Sequence, residues 1–235
     1  MFSMNTRVLP SRVDTNKIIK VTGIMDTLQD CSLFWLDSEP TLKAYFEDNN
    51  VGLLLFYRQM DIVKRPSYGE NIVVSTGLYG TRRAFGYRNT FIYDAQGNAI
   101  VKTWCLGAFV DLKTHQMLKC PEEILSSIKI DEKKEMDYTD YKITIPEVLA
   151  FAKEEMFQTK KSDIDLFGHM NNNKYIEKAM EFVDDSKISR LRVEFKKSAF
   201  LHDTIIIEKA EIENKSWIRL NDPNGETYAL LECSV

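Results

Sequence analysis

Ser162-Asp-Ile-Asp-Leu-Phe-Gly-His-Met-Asn-Asn-Asn-Lys-Tyr175 is the most informative segment of this chain of 235 residues. It holds two carboxylates, a glycine, a histidine and three consecutive asparagines. Apolar residues follow at helical spacing, which predicts an amphipathic helix over residues 170–184. Acid and base groups directly before a helix lie beside unpaired backbone N–H groups and the positive end of the helix dipole. The segment therefore predicts a reaction site at the start of a helix.

Three residues of this segment are the main candidates for chemistry. Histidine titrates near neutral pH, so His169 is a candidate general base or a donor to a carbonyl oxygen. Asp165, four residues earlier, is its candidate carboxylate partner, whereas Asp163 is better interpreted as a cap at the helix entry. Gly168 permits backbone angles that other residues resist and lets a ligand come close.

Polar side chains after the histidine are candidate substrate contacts. Asn171 and Asn172 can either cap the helix or donate amide N–H groups to a substrate, and the sequence does not separate the two roles. For Tyr175 we expect packing with a bonded hydroxyl, with substrate contact as the alternative. The other histidines, His115 and His202, lie in polar turns and are predicted at the surface.

Composition narrows the class of protein. The chain is 44% hydrophobic and carries a net charge of -4, so a general nucleic-acid binder, which is usually basic, is not expected. The four cysteines form neither a C-x-x-C pair nor a zinc-type spacing, which predicts free thiols in a reducing compartment and no metal site. No signal peptide is visible and no apolar run approaches the roughly 20 residues of a membrane span, so we expect a cytoplasmic location.

An internal repeat divides the chain. Residues 61–74 (DIVKRPSYGENIVV) align without a gap with residues 194–207 (EFKKSAFLHDTIII), and the polar turn at 93–98 matches the turn at 221–226. Two matches in the same order predict a duplicated domain. We place the N-terminal domain at residues 1–130, a charged linker at 131–142 and the C-terminal domain at 143–235.

Each copy is predicted to contain a helix followed by antiparallel strands. The short turns leave little room for parallel crossovers, so we expect an α+β fold with its helices on one face of the sheet. The first copy's counterpart of the histidine segment, placed at residues 21–30, has no histidine, which predicts one active site per chain. The predicted helices are 28–36, 38–49 and 170–184, and the predicted strands are 51–64, 71–80, 84–94, 99–110, 189–197, 203–213, 215–221 and 226–234.

The histidine segment resembles the D-x-D-x-N-x-H-V-N-N-x-x-Y-I signature of the acyl-ACP thioesterases, the plant FatA/FatB type and their bacterial relatives. Residues 25–35, 58–70, 85–88 and 111–114 also resemble segments of that family. The resemblance implies a double hotdog, with two tandem copies of a long helix wrapped by an antiparallel β-sheet. It also implies hydrolysis of the thioester between a fatty acid and acyl carrier protein, without metal or bound cofactor, by a monomer or homodimer.

Carried onto this chain, the family's catalytic residues fall on Asp165 and His169. Two positions depart from the pattern. The Asn that precedes the His by two residues is Phe167, and the downstream Glu falls on Ser198, which we keep as a candidate substrate contact. Phenylalanine cannot orient water, and serine is no base at neutral pH. Two alternatives therefore stay open, a non-catalytic binder of acyl-ACP or acyl lipid and an acyl-CoA thioesterase.

Overall fold

The computed structural model describes residues 1–114 and 116–235, so the prediction for His115 lies outside the described residues. The N-terminal half contains β1 (Phe2–Arg7), α1 (Val21–Asp37), α2 (Pro40–Asn49), β2 (Val51–Ile62), β3 (Asn71–Arg82), β4 (Phe85–Tyr93), β5 (Ala99–Asp111) and α3 (Glu122–Ser127). The C-terminal half contains β6 (Ala152–Gln158), α4 (Asn172–Met180), β7 (Arg190–Phe195), β8 (Thr204–Ile212), β9 (Lys215–Asn221) and β10 (Thr227–Ser234).

All ten of these strands join in one antiparallel sheet, in the order β1-β3-β4-β5-β2-β7-β10-β9-β8-β6. The order in each half is the same when it is followed outward from the central β2–β7 pair. Tyr57 lies opposite Glu194 and Asp61 opposite Arg190 in that pair. The predicted antiparallel α+β architecture is confirmed.

Helices α1 and α4 share the largest hydrophobic cluster with one face of the sheet. On α1 the fully buried residues Ile24, Leu28 and Cys31 recur at helical spacing. The helix begins at Val21, seven residues before the predicted start, because packing against the sheet overrides the weak helix propensity of its first turns. Gly23 is needed there, since an added Cβ would lie 2.4 Å from the carbonyl oxygen of Arg12.

The prediction missed two strands, β1 and β6, and the short helix α3. Both strands form outer edges of the sheet, and their residues are exposed or only partly buried. An edge strand of this kind lacks the buried apolar alternation by which a strand is recognised in a sequence. Helix α4 is shorter than predicted and ends at Met180.

The charged segment predicted as a linker covers the face of the sheet opposite the helices. Thr139 N–H donates to Gln59 Oε1 at 2.9 Å, and Lys134 N–H and Tyr138 OH both donate to Asn89 Oδ1 at 3.0 Å. A second hydrophobic cluster lies on this face and includes Tyr57, Trp104, Leu106, Ile143, Trp217 and Leu230. The segment is therefore packed against the sheet along its length.

The four cysteines are buried and free in the structure. Within residues 1–114 and 116–235, no helix has both the length and the apolar character needed to cross a bilayer.

Candidate active site

The loop before α4 is shaped by hydrogen bonds to Asp165. Oδ1 of Asp165 accepts from the N–H of Phe167 at 2.8 Å and from the N–H of His169 at 3.4 Å. The Asp165 N–H donates to the His169 carbonyl at 2.8 Å, which closes the turn. One carboxylate oxygen of Asp165 thus holds the turn that carries His169.

Gly168 completes the turn with a φ of +81°, in the left-handed region that favours glycine. An added Cβ would meet nothing within 4 Å. The position therefore needs glycine for its backbone angle. The space above it is open, which is compatible with the predicted approach of a ligand.

His169 is partly buried and lies against the segment that follows β7. Its ring centroid is 5.0 Å from that of Phe200, in an edge-to-face arrangement. The N–H of Met170 donates to the Ala199 carbonyl at 2.8 Å, which fixes this segment, including the partly buried Ser198, beside the loop. Four apolar side chains of the two turns remain exposed, namely Leu166, Phe167, Phe200 and Leu201.

The asparagines divide between capping and contact with the other half. Asn171 is the N-cap of α4, because its Oδ1 accepts from the Asn173 N–H at 2.8 Å. Asn172 is the first residue of the helix, and its backbone N–H has no acceptor among the described residues. Asn173 Nδ2 donates across the molecule to the Thr22 carbonyl at 3.1 Å and to Asp26 Oδ1.

Asp26 was not predicted as a site residue. It lies on α1, is partly buried, and has a pKa above the usual carboxyl value because of that burial. Its bond to Asn173 and the charge of Arg12 lower the pKa, whereas Asp30 and Glu177 raise it further. Its only sequence signal was an acid on the first turns of a helix, and the contact with Asn173 joins residues far apart in the chain.

Tyr175 is buried, and its hydroxyl accepts from the Ala199 N–H at 2.8 Å. Burial also raises the pKa of this phenol. The expected packing role with a bonded hydroxyl is therefore what the structure has. Asp163 is likewise buried, but its Oδ2 accepts from the Lys160 N–H at 2.8 Å in the short helical turn at residues 161–163, so it does not cap α4 as predicted.

The counterpart of this loop in the first half is residues 12–20, so the placement at residues 21–30 was wrong. Asp14 Oδ1 accepts from the N–H groups of Asn16 and Ile18 at 2.9 Å, as Asp165 does from Phe167 and His169. The first half has an additional helix, α2, between α1 and the strands, which the second half lacks between α4 and β7. The counterpart still has no histidine, because Ile18 stands in that position.

The two helix starts differ in what occupies them. The Val21 N–H at the start of α1 donates to both carboxylate oxygens of Asp185 at 3.2 Å. Arg65 holds that carboxylate from the side, with Nη1 3.3 Å from Oδ1. Val21 corresponds to Asn172, whose N–H has no acceptor in the part of the chain that the structure describes, so of these two helix starts the start of α4 is the open one.

Comparison with protein-family models matches residues 1–128 to the acyl-ACP thioesterase N-terminal domain and residues 147–231 to the acyl-ACP thioesterase C-terminal domain. The chain belongs to the acyl-ACP thioesterase family. The activity that follows from this membership is hydrolysis of fatty acyl-ACP to a free fatty acid and the carrier protein. No curated protein sequence gives a match.

Solved structures agree with the family fold. An acyl-ACP thioesterase from Bacteroides thetaiotaomicron superposes with a TM-score of 0.87 at 19% identity, covering 99% of this chain and 96% of that one. The 12:0-ACP thioesterase from Umbellularia californica gives 0.80 at 14% identity, covering 99% and 96%. A putative oleoyl thioesterase from Lactobacillus plantarum gives 0.82 at 14% identity, covering 99% and 94%. This acyl-ACP thioesterase thus has the hotdog fold, with a large antiparallel sheet and few helices.

Within this acyl-ACP thioesterase, the two departures from the family pattern lie on the two turns at the site. Phe167 is 48% exposed and contributes its backbone N–H to the turn. Ser198 brings no carboxylate to the segment beside His169. Glu194, the nearest acid before it in the chain, belongs to the other face of the sheet, where it accepts from the Ile143 N–H and pairs with Lys196 at 3.3 Å.

Proposed function

We propose that this thioesterase works with one active site, built from the loop at residues 163–171 and the start of α4. The observation that carries the proposal is the open N–H of Asn172, three residues after His169. At the equivalent position of the first half, a carboxylate binds the Val21 N–H, which demonstrates that such a helix start can hold a negative oxygen.

In this mechanism the thioester carbonyl oxygen binds at the Asn172 N–H, where negative charge develops in the transition state. His169 lies beside that oxygen and acts as an acid or base on the carbonyl or on the attacking water. Asp165 holds the turn through Oδ1 and orients water through its other oxygen. Gly168 sets the backbone angle of the turn that carries His169, and Asn171 caps the helix that follows. Asn172 and Ser198 line the substrate position. The buried Tyr175 supports it by holding the Ala199 N–H beside Ser198.

We also propose that the fold is a double hotdog, in which residues 1–130 and 143–235 are tandem copies joined by the linker at 131–142. The repeated strand order, the matching loops around Asp14 and Asp165, and the antiparallel β2–β7 pair support this proposal. A tandem pair forms within one chain the two-unit arrangement that single units form as a dimer. A monomer is therefore sufficient, and a homodimer is the alternative.

Acyl carrier protein is the proposed partner, in the cytoplasm and without a metal or cofactor. Basic surface residues would favour docking of an acidic carrier, so the doublets Arg82-Arg83 and Lys196-Lys197 are the candidate docking residues. Lys196 is already paired with Glu194, and Lys197 with Asp222 and Glu226. These carboxylates reduce the net positive charge that the doublet presents to a partner. Arg82 and Arg83 are exposed at the turn between β3 and β4 and remain the better candidates.

The test is release of free fatty acid by the purified chain from a panel of acyl-ACP substrates of different lengths. We expect hydrolysis, with a higher kcat/KM for acyl-ACP than for the matching acyl-CoA. A higher value for acyl-CoA would favour the acyl-CoA alternative. Tight binding of acyl-ACP without hydrolysis at any chain length would favour the non-catalytic binder, the alternative motivated by Phe167 and Ser198.

A further inference from the structure

Asp26 brings a carboxylate from the N-terminal half to the start of α4 in the C-terminal half. The Asn173 side chain donates to Asp26 Oδ1, and Asn173 directly follows the open N–H of Asn172. The side-chain amide of Asn173 also donates to the Thr22 carbonyl, so two hydrogen bonds hold α4 against α1 here. Among the described residues, Asp26 Oδ2 has no hydrogen bond, which leaves one oxygen for a further partner.

The other acids around the loop have different roles. Oδ1 of Asp165 holds its own turn and its other oxygen orients water in the proposed function, Asp163 is buried on the Lys160 N–H, and Glu194 belongs to the opposite face of the sheet. The position at which the family carries a glutamate is Ser198. A carboxylate that enters from α1 would supply the base that these residues do not.

The charged groups around Asp26 favour a proton acceptor. Arg12, which faces it from the loop before α1, is already bonded to Thr27 and to Asp30. Glu177 faces it from α4 and pairs with Lys174 at 2.8 Å, and Asp30 lies one turn further along α1. Burial and these two acids hold the pKa of Asp26 above its usual value, which makes its carboxylate a stronger base near neutral pH.

We propose that Asp26 is the catalytic carboxylate that accepts the proton of the attacking water. This inference rests on the proposed function. Water loses a proton to Asp26 while its oxygen bonds to the thioester carbonyl carbon, and the carbonyl electrons move to the oxygen held at the Asn172 N–H. When the tetrahedral intermediate collapses, the C–S bond breaks. The carrier's thiolate leaves and takes up the proton that Asp26 gained.

The test compares Asp26→Asn with Asp30→Asn, a matched control on the same helix. Asparagine keeps the size of the side chain and an oxygen for Asn173, so we expect D26N to fold with a melting temperature near that of the wild type. Its kcat for acyl-ACP should fall by about 100-fold or more while KM stays within a few-fold. The wild-type rate rises with pH through the pKa of Asp26. This limb of the pH profile should disappear in D26N but persist in D30N, at lower pH because the charge of Asp30 raises the pKa of Asp26.

Three other results would overturn the proposal. If D26N keeps both its kcat and the pH limb, Asp26 has no part in the chemistry, although the proposed function stands. If D30N loses the limb as well, the limb does not belong to Asp26. If the wild type hydrolyses no substrate on any carrier, the proposed function fails and the role of Asp26 fails with it.

Discussion

Gly168 is the residue at which backbone conformation and activity are most directly connected. A side chain at φ +81° costs roughly 1–2 kcal/mol, and no contact offsets or adds to this cost because the space around the Cβ position is empty. We expect Gly168→Ala to lower the melting temperature and to reduce kcat by displacing His169. Gly225, at φ +87° with equally open space, is the matched control. Gly225→Ala should lose similar stability in thermal unfolding but keep kcat.

His169 is the residue on which the proposed chemistry depends. We expect His169→Ala to reduce kcat/KM for acyl-ACP by about 10²–10⁴-fold, the usual contribution of a positioned acid or base. The control is His202→Asn, because His202 is exposed at φ +72° and asparagine tolerates that backbone angle. Initial-rate assays of both variants decide the point. An H169A enzyme as active as H202N would remove this histidine from the mechanism.

Local chemistry at single residues was predictable from the sequence, and contacts across the molecule were not. The cap at Asn171, one of the two roles that the sequence allowed for it, and the bonded hydroxyl of Tyr175 follow from residue type and position in a helix. Asp26 and Asn173 belong to different halves, and only the folded pairing of α1 with α4 brings them together. Nothing in the spacing of either residue reports that contact.

At the scale of elements, the start of α1 is the most dependent on a distant part of the chain. Asp185 accepts from the Val21 N–H and pairs with Arg65, so its carboxylate neutralises the positive end of a 17-residue helix. We expect Asp185→Asn to reduce the free energy of unfolding by about 1–2 kcal/mol in a urea titration. Asp184→Asn is the control, because Asp184 is more exposed and its bonds to described residues all lie within its own turn. Equal losses in the two variants would contradict the cap.

The elements themselves were predictable where burial gave them a periodic pattern. Eight central strands and α2, which begins two residues later than predicted, followed from apolar runs and turn residues. The edge strands β1 and β6 did not, because one side of each has no neighbour and their side chains are mostly exposed or partly buried. The early start of α1 also escaped prediction, since Gly23 is a poor helix former that is retained for close packing.

At the scale of the whole molecule, the linker at residues 131–142 forms hydrogen bonds that join the two halves. Arg192 on β7 is buried, pairs with Glu232 at 3.1 Å, and donates to the Asp140 carbonyl at 2.7 Å and the Lys142 carbonyl at 3.1 Å. Arg192→Met would leave Glu232 buried without its arginine. We expect a loss of about 3–5 kcal/mol in the free energy of unfolding. Arg219→Met, at a more exposed pair with Glu208, should cost about 1 kcal/mol or less.

We further expect unfolding in one transition, with coincident curves from circular dichroism and tryptophan fluorescence. The shared sheet and the cluster under the linker join Trp104 of the first half to Trp217 of the second. Two separated transitions would contradict this coupling. The sequence predicted the duplication and a linker. The charged composition of the linker did not indicate that it packs against the sheet, because it does so through polar contacts to Gln59 and Asn89 on distant strands.

The carboxylate of Asp185 on the start of α1 has a consequence for the stoichiometry of binding. The starts of α1 and α4 lie in equivalent positions of the two halves, and the start of α1 carries an internal ligand, the Asp185 carboxylate. We expect an inhibitor that imitates the reacting oxygen to saturate at one equivalent per chain in a calorimetric titration. The loop residues before the occupied start, Ile18 among them, then have no catalytic requirement on their side chains and are free to change in the course of evolution.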